Sequence, residues 1–203
     1  MSVTVPAPLK RFIWDIQSMV ELAESEREIL VIGRDLMARL VASDDWLPAA
    51  FAHSDERQSR HYLLYRDALD RFSVVGSVLR GEQTVLIHQD KVWEIFGLLR
   101  GSIARSHPPD AGVARTPTGS AKIFEPRTVD TLASKIGPPR VQLFNALDTG
   151  VSIGIHVYGG DIGAISRFAI EADGAAGELI EGYANSDEAP AYDIWSIQTE
   201  ICD

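Results

Sequence analysis

The stretch Thr84-Val85-Leu86-Ile87-His88-Gln89-Asp90-Lys91-Val92-Trp93-Glu94-Ile95-Phe96-Gly97-Leu98-Leu99-Arg100-Gly101 discloses most about the fold and the chemistry of this chain. Thr84–His88 and Val92–Leu99 are rich in β-branched, aromatic and aliphatic residues, which predicts two short strands. Residues two apart on a strand share a face, so His88 and Asp90 point to one side of the sheet, and into a barrel if His88 does. An imidazole and a carboxylate on one wall form a chelating pair for a divalent first-row metal. Glu94 follows Asp90 at a spacing of four, and Gly101 closes the stretch.

Outward from this segment the β-type pattern continues in Tyr62–Tyr65, Phe72–Leu79, Arg140–Phe144, Val151–Tyr158 and Ile162–Ile170. Many short strands in series predict a closed barrel or sandwich. The chain begins differently. Leu9, Phe12, Ile13, Ile16, Met19 and Val20, then Ile29, Leu30, Ile32, Leu36, Met37 and Leu40, recur at helical spacing and predict two amphipathic helices. Ser25-Glu26-Arg27-Glu28 has the form of a capping box and starts the second helix. The expected organisation is therefore one domain over 1–203: a helical cap to about residue 45, a barrel over about 60–171, and an irregular tail over about 172–203 anchored by Trp195 and Ile197. His107-Pro108-Pro109-Asp110-Ala111-Gly112 is expected to be a turn-rich loop rather than a linker.

Composition narrows the partners. A formal charge of −10 without a Lys/Arg run opposes nucleic-acid binding, which needs clustered cations to displace counterions. The single cysteine, Cys202, allows no internal disulfide and no cysteine-based zinc cluster, which suits a reducing cytoplasm. No apolar run approaches the roughly 20 residues needed to span a bilayer, and the N-terminus has no basic-then-apolar signal pattern. The expectation is a cytoplasmic protein that binds a small molecule, with no nucleic acid and no membrane; a homodimer is left open.

The order His88, Asp90, Glu94, Gly101 matches the first cupin motif, with Asp90 where a second histidine usually stands. From about Arg60 to Arg167 the chain resembles the cysteine dioxygenase-like thiol oxygenases of that superfamily. The resemblance is carried by Tyr62-Leu63-Leu64-Tyr65-Arg66-Asp67, Arg71-Phe72-Ser73-Val74-Val75, Ile87-His88 followed by Trp93, Leu98-Leu99-Arg100-Gly101, Asn145-Ala146-Leu147 and Val151 to Ala164. It implies a double-stranded β-helix (cupin) barrel, mainly β, with the α-helical N-terminal cap. It also implies an oxidoreductase in which a mononuclear divalent metal, iron(II) first and nickel(II) or manganese(II) as alternatives, acts with dioxygen on a small thiol such as cysteine or 3-mercaptopropionate.

Position by position, the resemblance assigns His88 as a ligand, puts Asp90 in place of the second histidine, and puts Val141 where the third would fall. Glu94 is a further ligand candidate from the cupin motif. His156 and Tyr158 match the last two members of a serine–histidine–tyrosine relay, while Gly154 stands in the serine position. Arg167 matches an arginine that grips the substrate carboxylate, a task suited to a guanidinium's two parallel donors, and Tyr62 is the second substrate-binding candidate. Each residue also has a plainer reading. His88 and Asp90 could be a buried hydrogen-bonded pair, Glu94 a partner of Arg100, and Arg167 a partner of Asp161, while Trp93 and Phe96 would be core. The loss of ligands allows two further classes: a metal-poor cupin that binds a small acidic metabolite, and a non-redox cupin lyase or isomerase.

Overall fold

The computed structural model describes residues 4–54, 59–80, 84–88, 92–106, 121–134, 141–147, 150–165, 167–170, 176–179 and 182–198. Two helices, α1 (Ala7–Leu22) and α2 (Glu26–Leu40), precede the strands β1 (Arg60–Arg66), β2 (Ser73–Arg80), β3 (Thr84–His88), β4 (Glu94–Arg100), β5 (Ile103–Ser106), β6 (Lys122–Phe124), β7 (Val129–Leu132), β8 (Val141–Ala146), β9 (Val151–Tyr158), β10 (Arg167–Ile170) and β11 (Ala176–Leu179). A short helix, α3 (Ile194–Gln198), lies near the end.

The strand order identifies the fold. One sheet runs β1-β2-β9-β4-β7 and the other β3-β8-β5-β6, with β10 and β11 forming a separate pair. The antiparallel partners β2 with β9, β3 with β8, β4 with β7 and β5 with β6 are nested inside one another. Between β2 and β9 the chain switches back and forth between the two sheets. A long antiparallel ribbon wound in this way is a jelly roll, or double-stranded β-helix. Among the described residues no ladder joins the two sheets edge to edge, so they face each other as layers rather than as one closed barrel. β1 extends the first sheet.

Period-two alternation gives the first sheet two different faces. Ile95, Leu99, Ile153, Ile155, Val157, Val74 and Val78 belong to one large core with residues of α1 and α2. Leu79, Phe96 and Leu98 project the other way and pack with Ile103, Phe124 and Ala146 of the opposite layer. The expected helical cap is present, and it covers the outer face of the first sheet. Its second helix begins at Ser25, whose Oγ accepts from the Glu28 amide, while the Glu28 carboxylate accepts from the Glu24 amide.

Close approach of α2 to the sheet depends on small residues. A Cβ at Gly97 would lie 2.7 Å from Met37 Cγ and 2.8 Å from Val41 Cγ1, and one at Gly33 would meet Ile95 Cδ1. The tail protects the free edge of β1. Asn185 accepts from the Leu63 amide at 2.8 Å and donates to the Leu63 carbonyl at 2.9 Å, and the Tyr192 amide donates to the Leu64 carbonyl. Of the two anticipated anchors, Ile197 is buried, whereas Trp195 is exposed: α3 turns only one of these residues inward. His107 to Gly112 lies outside the described residues. Gly97→Ala is expected to destabilise the protein by about 1–3 kcal/mol through overpacking against Met37 and Val41, which a lowered midpoint in thermal denaturation would show.

Candidate functional site

The inner face of the first sheet carries a buried polar group. On β9 the alternation sends Gly154, His156 and Tyr158 inward, and across the ladders Phe96 pairs with His156, Glu94 with Tyr158, Val75 with His156 and Ser77 with Gly154. Ser77, Glu94, His156 and Tyr158 are all buried, with Glu94 0% exposed. His156 Nδ1 lies 2.7 Å from Glu94 Oε1 and 2.9 Å from Tyr158 Oη, and His156 Nε2 lies 2.8 Å from Ser77 Oγ. The imidazole is stacked on Tyr158 at 5.3 Å and tilted against Phe96 at 4.8 Å.

These contacts fix the proton positions. A carboxylate only accepts, so Nδ1 of His156 carries hydrogen toward Glu94, with the Tyr158 oxygen beside it. In the neutral imidazole Nε2 then accepts from the Ser77 hydroxyl. When the ring is protonated, Nε2 donates to Ser77 Oγ, whose hydrogen can turn to the Gly154 carbonyl at 3.4 Å. Ser77 thus accommodates both charge states of His156, and the group can hold or release a proton without breaking apart.

The second layer supplies the counter-charge. Arg105 of β5 is 3% exposed and donates from Nη2 to Glu94 Oε2 at 3.0 Å and from Nη1 to Asp130 Oδ2 at 3.2 Å. Lys122 donates to Asp130 at 2.8 Å and completes a line of alternating charge from the interior to the exposed side. Burial opposes the charge on Glu94, but the Arg105 guanidinium and the hydrogen bond from His156 outweigh it and hold its pKa below the ordinary glutamate value.

Sequence reasoning located His156, Tyr158 and Glu94 in this interior, but not their neighbours. The alternative partner for Glu94, Arg100, instead binds Asp44 at 2.7 Å outside the pocket, and Asp161, the alternative partner for Arg167, binds Arg66 at 2.9 Å. Ser77 was missed, yet it supplies the hydroxyl absent at position 154. A Cβ on Gly154 would stand 2.6 Å from the Phe96 ring and 2.8 Å from Ser77 Oγ, so position 154 is crowded for any side chain. The readable signal was a serine in inward register on β2. His61, across from Ser77 on β1, is buried on the same side.

Tyr62 is not brought to this group. One residue out of phase with His61, it faces the helical core, packs edge-on against Phe51 at 5.9 Å and donates to the His53 carbonyl at 3.1 Å. His88 stands at the end of β3 in register with Val141 of β8. Arg167 begins β10, in register with Leu179, and β10 lies against β3. The side chains of His88 and Arg167, and all of Asp90, lie outside the described residues. Among the described residues no three His, Cys, Asp or Glu side chains converge as a metal cage. Glu94 and His156 are turned to each other.

No family model matches the chain. Its backbone is similar to a Thermus thermophilus protein, at 8% identity over 55% of this chain and 92% of that one, with a TM-score of 0.43. It is also similar to a cupin superfamily protein of Desulfitobacterium hafniense, at 13% identity over 57% and 90%, with a TM-score of 0.41. A Klebsiella pneumoniae protein with a double-stranded β-helix domain is similar at 7% identity over 64% and 91%, with a TM-score of 0.44. Likeness at this level adds nothing to what the strand order already establishes. No described helix is long and apolar enough to cross a membrane.

Arg105→Met is expected to destabilise the fold by about 3–5 kcal/mol, because Glu94 is left buried without its cation. Adding Glu94→Gln should recover part of that loss in urea denaturation. The lowered Glu94 pKa sets a sign for pH as well. Its contribution is present above the ordinary glutamate pKa and lost as pH falls through the lower folded value, so Glu94→Gln should flatten the acid limb of the stability profile.

Proposed function

We propose that this chain is a cupin-type oxidoreductase that takes a small thiol, cysteine or an analogue such as 3-mercaptopropionate, with dioxygen as co-substrate. The observation that carries the reading is the assembled Ser77–His156–Glu94 group with Tyr158, an acid–base relay on the inner wall of the double-stranded β-helix. The resemblance over Arg60 to Arg167 supplies the substrate class. His88 and Asp90 are the ligands assigned to a divalent metal, iron(II) before nickel(II) or manganese(II), and the chemistry such an ion supplies when bound is activation of the thiol and of dioxygen. The altered ligand set leaves the oxidation level of the product open, with a sulfinate as the simplest outcome.

The chain's own residues have separate tasks in this scheme. Arg167 receives the substrate carboxylate; the placement of β10 against β3 supports a position near His88. His156 keeps Nδ1–H on Glu94 and exchanges a proton at Nε2 through the Ser77 hydroxyl, with the Tyr158 phenol as neighbour. The two enclosing layers, with Phe96, Phe124 and Ile103 between them, exclude water from the reacting groups. A second reading, a metal-poor cupin that binds a small acid, is favoured by the Arg105 guanidinium, which takes up the carboxylate of Glu94, a ligand candidate.

The two readings separate by elemental analysis followed by anaerobic loading with iron(II), nickel(II) or manganese(II) and measurement of oxygen uptake over a thiol panel. The oxidoreductase reading expects about one metal per chain and thiol-dependent uptake, both abolished in His88→Ala. It also expects Arg167→Ala to raise KM for carboxylate-bearing thiols by about 10- to 100-fold, the worth of a charge-assisted bidentate contact, while leaving a thiol without a carboxylate unaffected. A metal-free protein that binds small acids and consumes no oxygen would replace this reading with the second.

A further inference from the structure

We infer that Arg105 withholds Glu94 from any metal ion in this interior and commits its carboxylate to His156. By spacing, Glu94 occupies a ligand position, at the fourth residue beyond Asp90. The folded chain gives it other partners: Arg105 Nη2 at 3.0 Å on one oxygen and His156 Nδ1 at 2.7 Å on the other. Arg105 is itself fixed, because its second arm is held by Asp130 at 3.2 Å and Asp130 is held by Lys122 at 2.8 Å.

The electrostatics favour exclusion. A guanidinium stays protonated at any working pH, so it acts as a permanent cation against Glu94. A divalent ion sharing that carboxylate would stand close to the guanidinium in a dry interior, where repulsion between like charges is poorly screened. Turning Oε1 toward the ion would also remove the acceptor that orients His156. Any metal retained here is therefore bound without Glu94, in a less negative and weaker site than the sequence motif suggests. The inference deepens the proposed reading in taking the interior as the place where a divalent ion enters, but it concerns Arg105 and Glu94 alone.

Cobalt(II) titration of the full chain, followed by visible absorption and by calorimetry, tests it in wild type, Glu94→Gln and Arg105→Gln. Glutamine at 105 keeps a donor for Glu94 while removing the cation. Glu94→Gln is expected to bind cobalt with a Kd within about threefold of wild type, and Arg105→Gln at least about tenfold more tightly. Weakening by about tenfold or more in Glu94→Gln would make Glu94 a ligand and overturn the inference. Cobalt uptake by Arg105→Gln but not by wild type would sustain the inference while removing the metal from the proposed function. Failure of both to bind would overturn the inference. Should Arg105→Gln not fold, the wild-type protein decides by nitrogen-15 NMR: with zinc added to excess, the downfield Nδ1–H signal of His156 stays in place if Glu94 remains committed to it, and its loss overturns the inference.

Discussion

The interior is organised by one buried ion pair that spans the two layers, Glu94 on β4 and Arg105 on β5. Taking either charge out of water alone costs several kcal/mol, and the pair is tolerated because each charge satisfies the other and both have further polar partners. This makes the pair a constraint on the whole inner face. The registers of β4 against β9 and of β5 against β8 must both hold for the two side chains to meet. A one-residue slip of β4 would turn Glu94 into the apolar core under the helical cap, and a slip of β5 would turn Arg105 away from Glu94. His156 inherits its orientation from Glu94, and Ser77 in turn from His156, so the acid–base group depends on an arginine from the opposite sheet.

The outer face answers to a different requirement. There the sheet presents Ile95, Leu99, Ile155 and Val157 to α1 and α2, and the close fit of Gly33 against Ile95 and of Gly97 against Met37 sets the helix-to-sheet distance. No titratable network is needed on that side, because burial of aliphatic surface suffices to hold the cap. Edge protection comes from the tail, where Asn185 copies a strand's pattern of one acceptor and one donor toward Leu63. The cap and tail thus stabilise the sheet from outside, leaving the inner face free for polar residues that add little to packing.

What could be read in the sequence follows the length of the signal. The two helices declared themselves through sixteen- and fifteen-residue amphipathic patterns, and the capping box at Ser25 gave the start of α2. β2, β3, β4, β8 and β9 were legible as runs of five to eight residues. The middle of the winding was not, because β5, β6 and β7 are three or four residues long and their inward positions include Arg105 and Asp130. A charged residue in a short run reads as surface until a buried partner is known, so Arg105 escaped notice and Arg100, closer in sequence, was the partner at hand. His156 and Tyr158 were singled out by the family resemblance, and the alternation of β9 puts both on its inner face. Tyr62, a candidate from the resemblance, is one residue out of phase with His61 and faces the cap, a phase that cannot be set from one strand read alone.

Ser77 and Gly154 show why position-by-position comparison of motifs is insufficient inside a sheet. The hydroxyl within hydrogen-bond reach of His156 Nε2 comes from Ser77, which faces Gly154 on the adjacent strand. Position 154 is itself crowded: a Cβ there would press first on the Phe96 ring and then on the Ser77 oxygen. Glycine at 154 leaves room for the Phe96 ring and for the Ser77 hydroxyl, which reaches His156 Nε2 from the neighbouring strand, seventy-seven positions before Gly154 in sequence.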